Sequence, residues 1–400
     1  MKVLPCGHLA PAAGARVCAH LTTDNGPRCF RVLTGVATRY DLLCTTCAEA
    51  DTPELVDVCA GCFDRAEGLA RLGWLGSPEV LLRDRDLGGT WTTTACPVTP
   101  LNDRCLAALP DGWLAWTADG LVALDPAPRH VSAVDLPAES PSKQAPEPAL
   151  YTPVDGRFAA AVADYGRYGV VVDLASGALA LTLDRQDYHP GTVRFPVAFV
   201  GPLVVAATGW NRLDAFDPAT GRLLTERVTT YEENPEHYFD YFFGAMLPSP
   251  SGRSLLVDGW VWHPEGIPLV LDCAAWFAGD RHAPEHGRTL AVRDEWDMPM
   301  AWVDDETVAL QEIGDKQRID GIQLHDARTG RRTGMFAGPT GRMWGHGGLL
   351  YVTTDDGFEV WDPAEGARIG FVPGFHPTAH GNGAFAELRA GRLRIWTPEA

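Results

Sequence analysis

The sequence predicts an all-β protein, a seven-bladed β-propeller preceded by a small metal-stapled module. Three observations predict it. An apolar or aromatic residue, then Asp, then a short turn recurs through the chain, and strand-length apolar runs precede each recurrence. Helix-length amphipathic patterns are nearly absent from the body. Seven of the ten cysteines of this 400-residue chain lie in the first 62 positions, four of them as two Cys-x-x-Cys pairs.

Composition bounds the classes of function. With 46% hydrophobic residues there is ample core material, while 42 glycines, 31 prolines and 13 tryptophans suit short strands broken by tight turns. The net charge of −19 repels phosphate backbones, so we expect no nucleic-acid partner. The N-terminal MKVLPCGHLAPAAG has one Lys and no long apolar run, unlike a secretory signal. No stretch approaches the eighteen or so apolar residues that span a bilayer, so no membrane role is expected. A cytoplasmic chain keeps its thiols reduced, which argues against a disulfide scaffold.

The first element is a head over residues 1–70. Cys6-x-His8, Cys18-x-His20, Cys44-x-x-Cys47 and Cys59-x-x-Cys62 give it four pairs of soft ligands. Two Cys-x-x-Cys turns eleven residues apart suit a tetrahedral zinc shell of Cys44, Cys47, Cys59 and Cys62. A redox dithiol needs only one pair. Residues i and i+2 of a strand share a side, so Cys6, His8, Cys18 and His20 are candidate ligands too. Sequential and interleaved pairings are both open, giving one or two structural zinc ions. The bland alternative makes His8 and His20 ordinary polar histidines, and Cys29 reads as a small buried hydrophobe. VCAHLTTDNGPRCFRVLTG reads as two strands around the hairpin signal Asn25-Gly26, TRYDLLC as a third strand, and Phe63, Ala66, Leu69 and Leu72 have helical spacing. So small a module buries little surface, and structural zinc contributes on the order of 10 kcal/mol to such folds.

The body, residues 75–400, carries the recurring turn at LDPAPR (Asp125), VDLASG (Asp173), FDPATG (Asp217), LDCAAW (Asp272), HDARTG (Asp326), WDPAEG (Asp362) and finally WTPEA (Thr397). The mean step is about 45 residues, the length of a four-stranded blade. Asp caps each turn through its side chain and Gly takes the left-handed position. The last blade has room for three strands, so a strand within 79–96 is expected to close the ring and remove its exposed edges. Residues 136–153 form a Pro/Glu/Ser-rich connection.

These turns resemble those of WD-repeat and quinoprotein-like propellers. The block YFDYFFGAMLPSPSGRSLLVDGWVWHPEG (238–266) is similar to a segment of bacterial WD-repeat-like proteins of no assigned activity, some of which begin with Cys/His pairs. The resemblance implies a propeller and transfers no catalytic residue. Trp361-Asp362 is the single Trp-Asp ending, and WGHGG at 344–348 is the nearest approach to a Gly-His opening.

No nucleophile elbow, P-loop or dinucleotide fingerprint is present. His282 and His286, and likewise His376 and His380, have i, i+4 spacing, but an intervening Pro argues for loops. YEENPEHYFDYFFG sets Tyr231, Tyr238, Tyr241, Phe242 and Phe243 among acidic residues. Either these rings are core with an acidic rim, or some form a lip for a protein or basic peptide. The expected function is therefore a non-catalytic binding scaffold. The alternative is an enzyme or sensor with a small-molecule site in the central channel.

Overall fold

The structure is a computed structural model that describes residues 2–5, 9–10, 15–22, 29–33, 40–44, 47, 54–60, 62–63, 66 and 80–399, apart from 125–126, 140–143, 263, 294 and 314–318. It is all-β, with a short α-helix, Cys273–Ala278, in the second part of the chain and isolated helical residues in the head. No described helix is long and apolar enough to cross a membrane. The chain divides into two compact units. One is Met1–Leu81 with Gln311–Gln323 and Met335–Pro339; the other is Leu82–Leu310 with Leu324–Gly334 and Thr340–Ala400.

In the first unit Cys29–Leu33, Tyr40–Cys44, Ala15–Cys18 and Leu55–Val58 form one sheet in that order. The two strands that flank Asn25-Gly26 in sequence are therefore not hairpin neighbours, and that turn itself lies outside the described residues. Tyr40–Cys44 inserts between them, antiparallel to Cys29–Leu33 and parallel to Ala15–Cys18. Burial decides this order, because Leu42, Leu43 and Cys44 must meet Val17, Cys18 and Leu21 in one core. A bidentate pair locks the register, with Arg16 Nε and Nη2 donating to the Asp41 carboxylate at 2.9 and 2.6 Å. Most of the helix expected from Phe63 onward lies outside the described residues.

The rest of the chain folds into seven sheets of four or five strands each. Their first strands are Leu106–Leu109, Glu147–Tyr151, Val197–Val200, Phe242–Pro248, Met300–Trp302, Arg342–His346 and Ala379–Gly381. Short turns join many successive strands, whereas Leu269–Asp272 reaches Arg288–Thr289 through the Cys273–Ala278 helix. In the last sheet, Ala379–Gly381, Ala384–Arg389 and Arg392–Thr397 are followed by Thr90–Ala95, from the start of the unit. That strand runs antiparallel to Arg392–Thr397, with Trp91 opposite Trp396.

Strand alternation explains why sheets stack. Along Phe158–Asp164, Ala159 and Ala161 pack with Leu114 and Trp116 of the preceding sheet, while Phe158, Ala160 and Val162 pack with Val197, Phe199 and Val204 of the following one. Both faces of this strand are buried, which is why it reads FAAAVA with no polar alternation. The pattern repeats at Val204 and Ala206 against Val205 and Ala207. Ala379, Ala386 and Leu393 of the last sheet share a core with Leu106, Trp113 and Ala115 of the first. Each buried Val or Leu stabilises such an interface by about 1.5–3 kcal/mol.

The recurring Asp ends the third strand of its sheet. Asp173 accepts from the Ser176 amide and hydroxyl, Asp217 from the Thr220 hydroxyl, and Asp326 from the Thr329 amide and hydroxyl. Those bonds hold all three carboxyls below their ordinary range. Gly177, Gly221 and Gly330 follow at φ of 71–73°, where a Cβ would be strained. At Asp272 the same signal does something else: its carboxylate caps the Cys273–Ala278 helix through the Ala275 amide. Asp125 lies outside the described residues.

Candidate functional site

In the head, Cys18, His20, Cys44 and Cys47 converge, their ligand atoms all within 4.8 Å of one another. Among the described residues no other group of three or more potential ligands does so. The parallel register of Ala15–Cys18 and Tyr40–Cys44 brings the ends of both strands to one place. The Cys44 amide donates to Cys18 Sγ at 3.3 Å, and His20 Nδ1 stands 3.1 Å from Cys47 Sγ and 3.7 Å from Cys44 Sγ. A short 3-10 turn, Ala19–Thr22, carries His20 back over the thiols. Burial pushes the Cys47 thiol up to about 12, and Cys44 and Cys18 beside it add to the effect. The Cys44 thiol is also raised by burial, but hydrogen bonds from the Cys47 amide and the Cys47, Cys18 and His20 side chains bring it below its ordinary value. Three sulfurs and one imidazole at these separations are a donor set that a tetrahedral metal ion fits, zinc being the ion that most often takes it.

This grouping corrects the pairing expected from the Cys-x-x-Cys spacing. Cys44 and Cys47 meet Cys18 and His20, not Cys59 and Cys62. Leu55–Val58 runs antiparallel to Ala15–Cys18 with Val58 opposite Ala15, so Cys59 begins at the far end of that strand. Four residues of strand rise separate the two ends, on the order of 13 Å. Cys59 and Cys62 are half-buried there, and the Phe63 amide closes a turn onto the Cys59 carbonyl at 3.0 Å. Cys6 and His8 lie outside the described residues.

The five rings singled out in the body part company. Tyr241, Phe242 and Phe243 are each 1% exposed and belong to the core, so they are not contact residues. Tyr241 and Phe243 pack with Leu255, Leu269 and Trp276, and Phe242 stacks on Trp260 at 4.2 Å. Alternation sends Tyr241 and Phe243 to one face and Phe242 to the other, and all three are buried because both faces are covered. Tyr231 is 62% exposed and Tyr238 half-buried, 5.6 Å apart edge to face.

These two rings continue into aromatics that sequence reasoning did not mark. Tyr238 meets Trp210 at 6.4 Å, Trp210 meets Tyr188 at 5.3 Å, and Trp262 lies 6.4 Å from Tyr188 and 5.4 Å from His189. Tyr188 and Trp262 are 46% and 47% exposed. Buried Phe242 lies under them, 4.6 Å from Trp210 and 5.2 Å from Trp262. Rings this closely packed leave no slot between them, so the patch offers a contact face rather than a cage. Exposed Asp187, Glu232, Glu233, Glu236 and Asp240 adjoin these rings in sequence. Burial, then Asp240, Tyr188 and Glu232, hold the Tyr238 phenol above its ordinary value.

The other histidine pairs are structural or mixed. His282 stacks on His237 at 3.8 Å, and Glu285 beside it is taken by buried Arg227 at 2.6 and 3.0 Å. His376 contacts the Thr354 carbonyl at 3.1 Å. His380 lies on the first strand of the last sheet, 5.5 Å from His346.

No protein-family model matches the sequence, and no curated protein matches it. Solved structures do match, among them a β-propeller domain and a WD40 domain. A chain in the crystal structure of the mitotic checkpoint complex shares 13% identity at TM-score 0.53, over 82% of this chain and 97% of that one. The β-propeller domain of Cps50 (Swd1) from Myceliophteria thermophila gives 13% and 0.47 over 78% and 100%. The WD40 domain of Toxoplasma gondii coronin gives 10% and 0.49 over 80% and 90%. At such identities the likeness speaks to the fold alone.

Proposed function

We propose that this protein is a non-catalytic scaffold that captures a basic segment of a partner protein on the aromatic patch of Tyr188, Trp210, Tyr231, Tyr238 and Trp262. The observation that carries the reading is the continuity of that patch together with its acidic surroundings. Half-exposed aromatic rings supply the apolar anchors that interfaces use, and Asp187, Glu232, Glu233, Glu236 and Asp240 supply charge complementary to Lys and Arg. A net charge of −19 favours the same class of partner over nucleic acid.

The frame behind the patch is, in this reading, a closed ring of seven blades. The pairing of Thr90–Ala95 with Arg392–Thr397 and the core shared by the last and first sheets support closure. The head is a zinc module and a second docking surface. Its first ion sits on Cys18, His20, Cys44 and Cys47. Cys59 and Cys62, at the opposite end of the strand, are proposed ligands of a second ion, with Cys6 and His8 as the remaining soft pair of the head. Buried thiols such as Cys18 and Cys44 suit a reducing compartment, which is why we place the protein in the cytoplasm.

Binding of synthetic peptides to the immobilised full chain tests the reading. Peptides with two or three Lys or Arg around one Trp or Leu should bind, and acidic counterparts of the same length should not. Binding should weaken as salt rises, because rim charges act over a Debye length of about 8 Å at physiological ionic strength. The triple change Tyr188→Ala, Tyr231→Ala, Trp262→Ala should weaken binding at least tenfold and shift the melting temperature by only a few degrees. Equal binding of basic and acidic peptides, or unchanged binding by the triple variant, would refute it.

A further inference from the structure

A cavity of about 930 Å³ lies inside the second unit, walled by first strands of the sheets. Its wall is largely apolar, with Leu106, Met246, Met300, Trp302, Met343 and Trp344 among the lining residues. Three arginines also line it: Arg104, two residues before Leu106–Leu109; Arg194, three before Val197–Val200; and Arg342, which opens Arg342–His346. They come from three different sheets, so the circular arrangement of the strands alone brings them together.

Their partners compensate them only in part. Arg104 Nη2 donates to the Tyr151 hydroxyl at 2.7 Å, and its Nε stands 2.7 Å from Asp164 Oδ2, but out of line, so both atoms are buried without a hydrogen bond. Arg194 Nε is 3.9 Å from Asp297 Oδ1, too far for a hydrogen bond, and that oxygen is also left without one. Arg342 has no carboxylate within 4 Å among the described residues. Its Nη1 donates to the carbonyls of Asp103 and Thr378 at 2.9 and 2.8 Å, which ties it to the residue beside Arg104. Burial, and then the charges of Arg104 and Arg194, hold the Arg342 guanidinium down to about 10. Two carboxylates thus face three mutually repelling cations. Asp304 and Asp305 line the cavity beyond the far end of Met300–Trp302, where the amides of Glu306, Thr307 and Ser251 bind their carboxylates. A further lining group, His380, has a buried Nε2 without a hydrogen bond.

We propose that this cavity binds a small organic anion whose carboxylate or phosphate head lies among Arg104, Arg194 and Arg342 and whose body packs on the methionine and tryptophan wall. A guanidinium presents paired N–H donors that match either oxyanion, and burial strengthens the attraction. The volume is that of a small-molecule site, about 300–1,000 Å³ in general, and apolar walls with a few convergent polar groups are the rule for such sites. An anion also supplies the charge that the two aspartates leave uncompensated, which a neutral ligand of the same shape does not.

Calorimetric titration of the full chain with benzoate, phenyl phosphate and neutral benzyl alcohol tests this. At least one of the two anions should bind one to one, more than tenfold tighter than benzyl alcohol, and the stronger arm identifies the head group. Arg342→Gln and Arg194→Gln should each weaken that anion at least tenfold, while Arg389→Gln on the surface leaves it unchanged. Arg342→Gln should melt no lower than the parent without ligand, because it removes a half-buried cation that has no carboxylate beside it. If that variant fails to fold, the parent protein still decides: chloride should compete with the anion and not with benzyl alcohol. Benzyl alcohol binding as well as both anions, no binding of either anion, or anion binding indifferent to both arginine changes would overturn the assignment.

Discussion

Replacing Thr92 and Thr93 together by proline should open the last sheet. Thr90–Ala95 pairs with Arg392–Thr397 over six residues, and Trp91, Trp396 and Phe375 meet at its end, Trp91 edge-on to Phe375 at 4.9 Å. Backbone N–H groups alternate sides along a strand, so one of two adjacent residues must donate to the neighbouring strand, and the double proline removes that bond wherever the register lies. Six paired residues carry about six ladder hydrogen bonds at about 1 kcal/mol net each, so detaching the strand costs about 6 kcal/mol. Taking unfolding entropy as about 2.1 cal/mol/K per residue over roughly 320 residues, that converts to a fall of about 9 °C in melting temperature. The freed edge of Arg392–Thr397 should also drive association, visible as light scattering below the transition. Thr92→Ala with Thr93→Ala keeps both N–H groups and should melt within about 2 °C of the parent. A double-proline protein that melts with the alanine control and stays monomeric would show that this strand does not hold the ring shut.

Elemental analysis of the purified protein should find zinc, and Cys18→Ser or Cys47→Ser should each remove one equivalent while His20→Ala weakens retention against a chelator. A metal-free protein with an ordered head would end the zinc reading. A second expectation concerns acid. Burial, and His346 next to it, bring His380 down to about 4, below its unfolded value of about 6.5. The unfolded chain then binds the proton first, so this contribution to stability is complete above about pH 6.5 and is lost as pH falls toward 4. About 2.5 units correspond to about 3 kcal/mol. Urea titrations at pH 7 and pH 4.5 should show His380→Asn losing less stability over that interval than the parent. Equal losses would mean His380 takes up its proton as readily in the folded protein as in the unfolded chain.

Much of the local structure was legible because its causes are local. An Asp followed by a turn and a Gly reports its own hydrogen bonds, and Asp173, Asp217, Asp326 and Asp362 all end strands and bind the amides or hydroxyls just beyond. The run FAAAVA announces a strand buried on both faces, since nothing polar interrupts it. The same signal at Asp272 misled in detail: Cys273–Ala278 has enough helix formers to wind on from the cap. Counting rings in YEENPEHYFDYFFG pointed to spare aromatics at the surface, and Tyr231 is exposed and Tyr238 half-buried there. Tyr241, Phe242 and Phe243 are buried because both faces of their segment are covered, and composition does not report what covers the second face.

Residue type and spacing by themselves determined that this chain is built of short strands between capped turns, and that its head is rich in soft ligands. Which ligands meet was decided by tertiary structure. Cys18 and Cys44 come together because a strand 22 residues downstream slides in parallel beside Ala15–Cys18, an order set by burying Leu42 and Leu43 against Val17 and Leu21. Spacing favoured Cys59 and Cys62, but an antiparallel strand put them at the wrong end. The three cavity arginines carry no mark in the sequence at all, for they lie 90 and 148 residues apart. Neighbours along a chain share turns and faces. Neighbours across a core are chosen by the burial of the whole fold, and the arginines meet only because first strands from separate sheets wall one cavity.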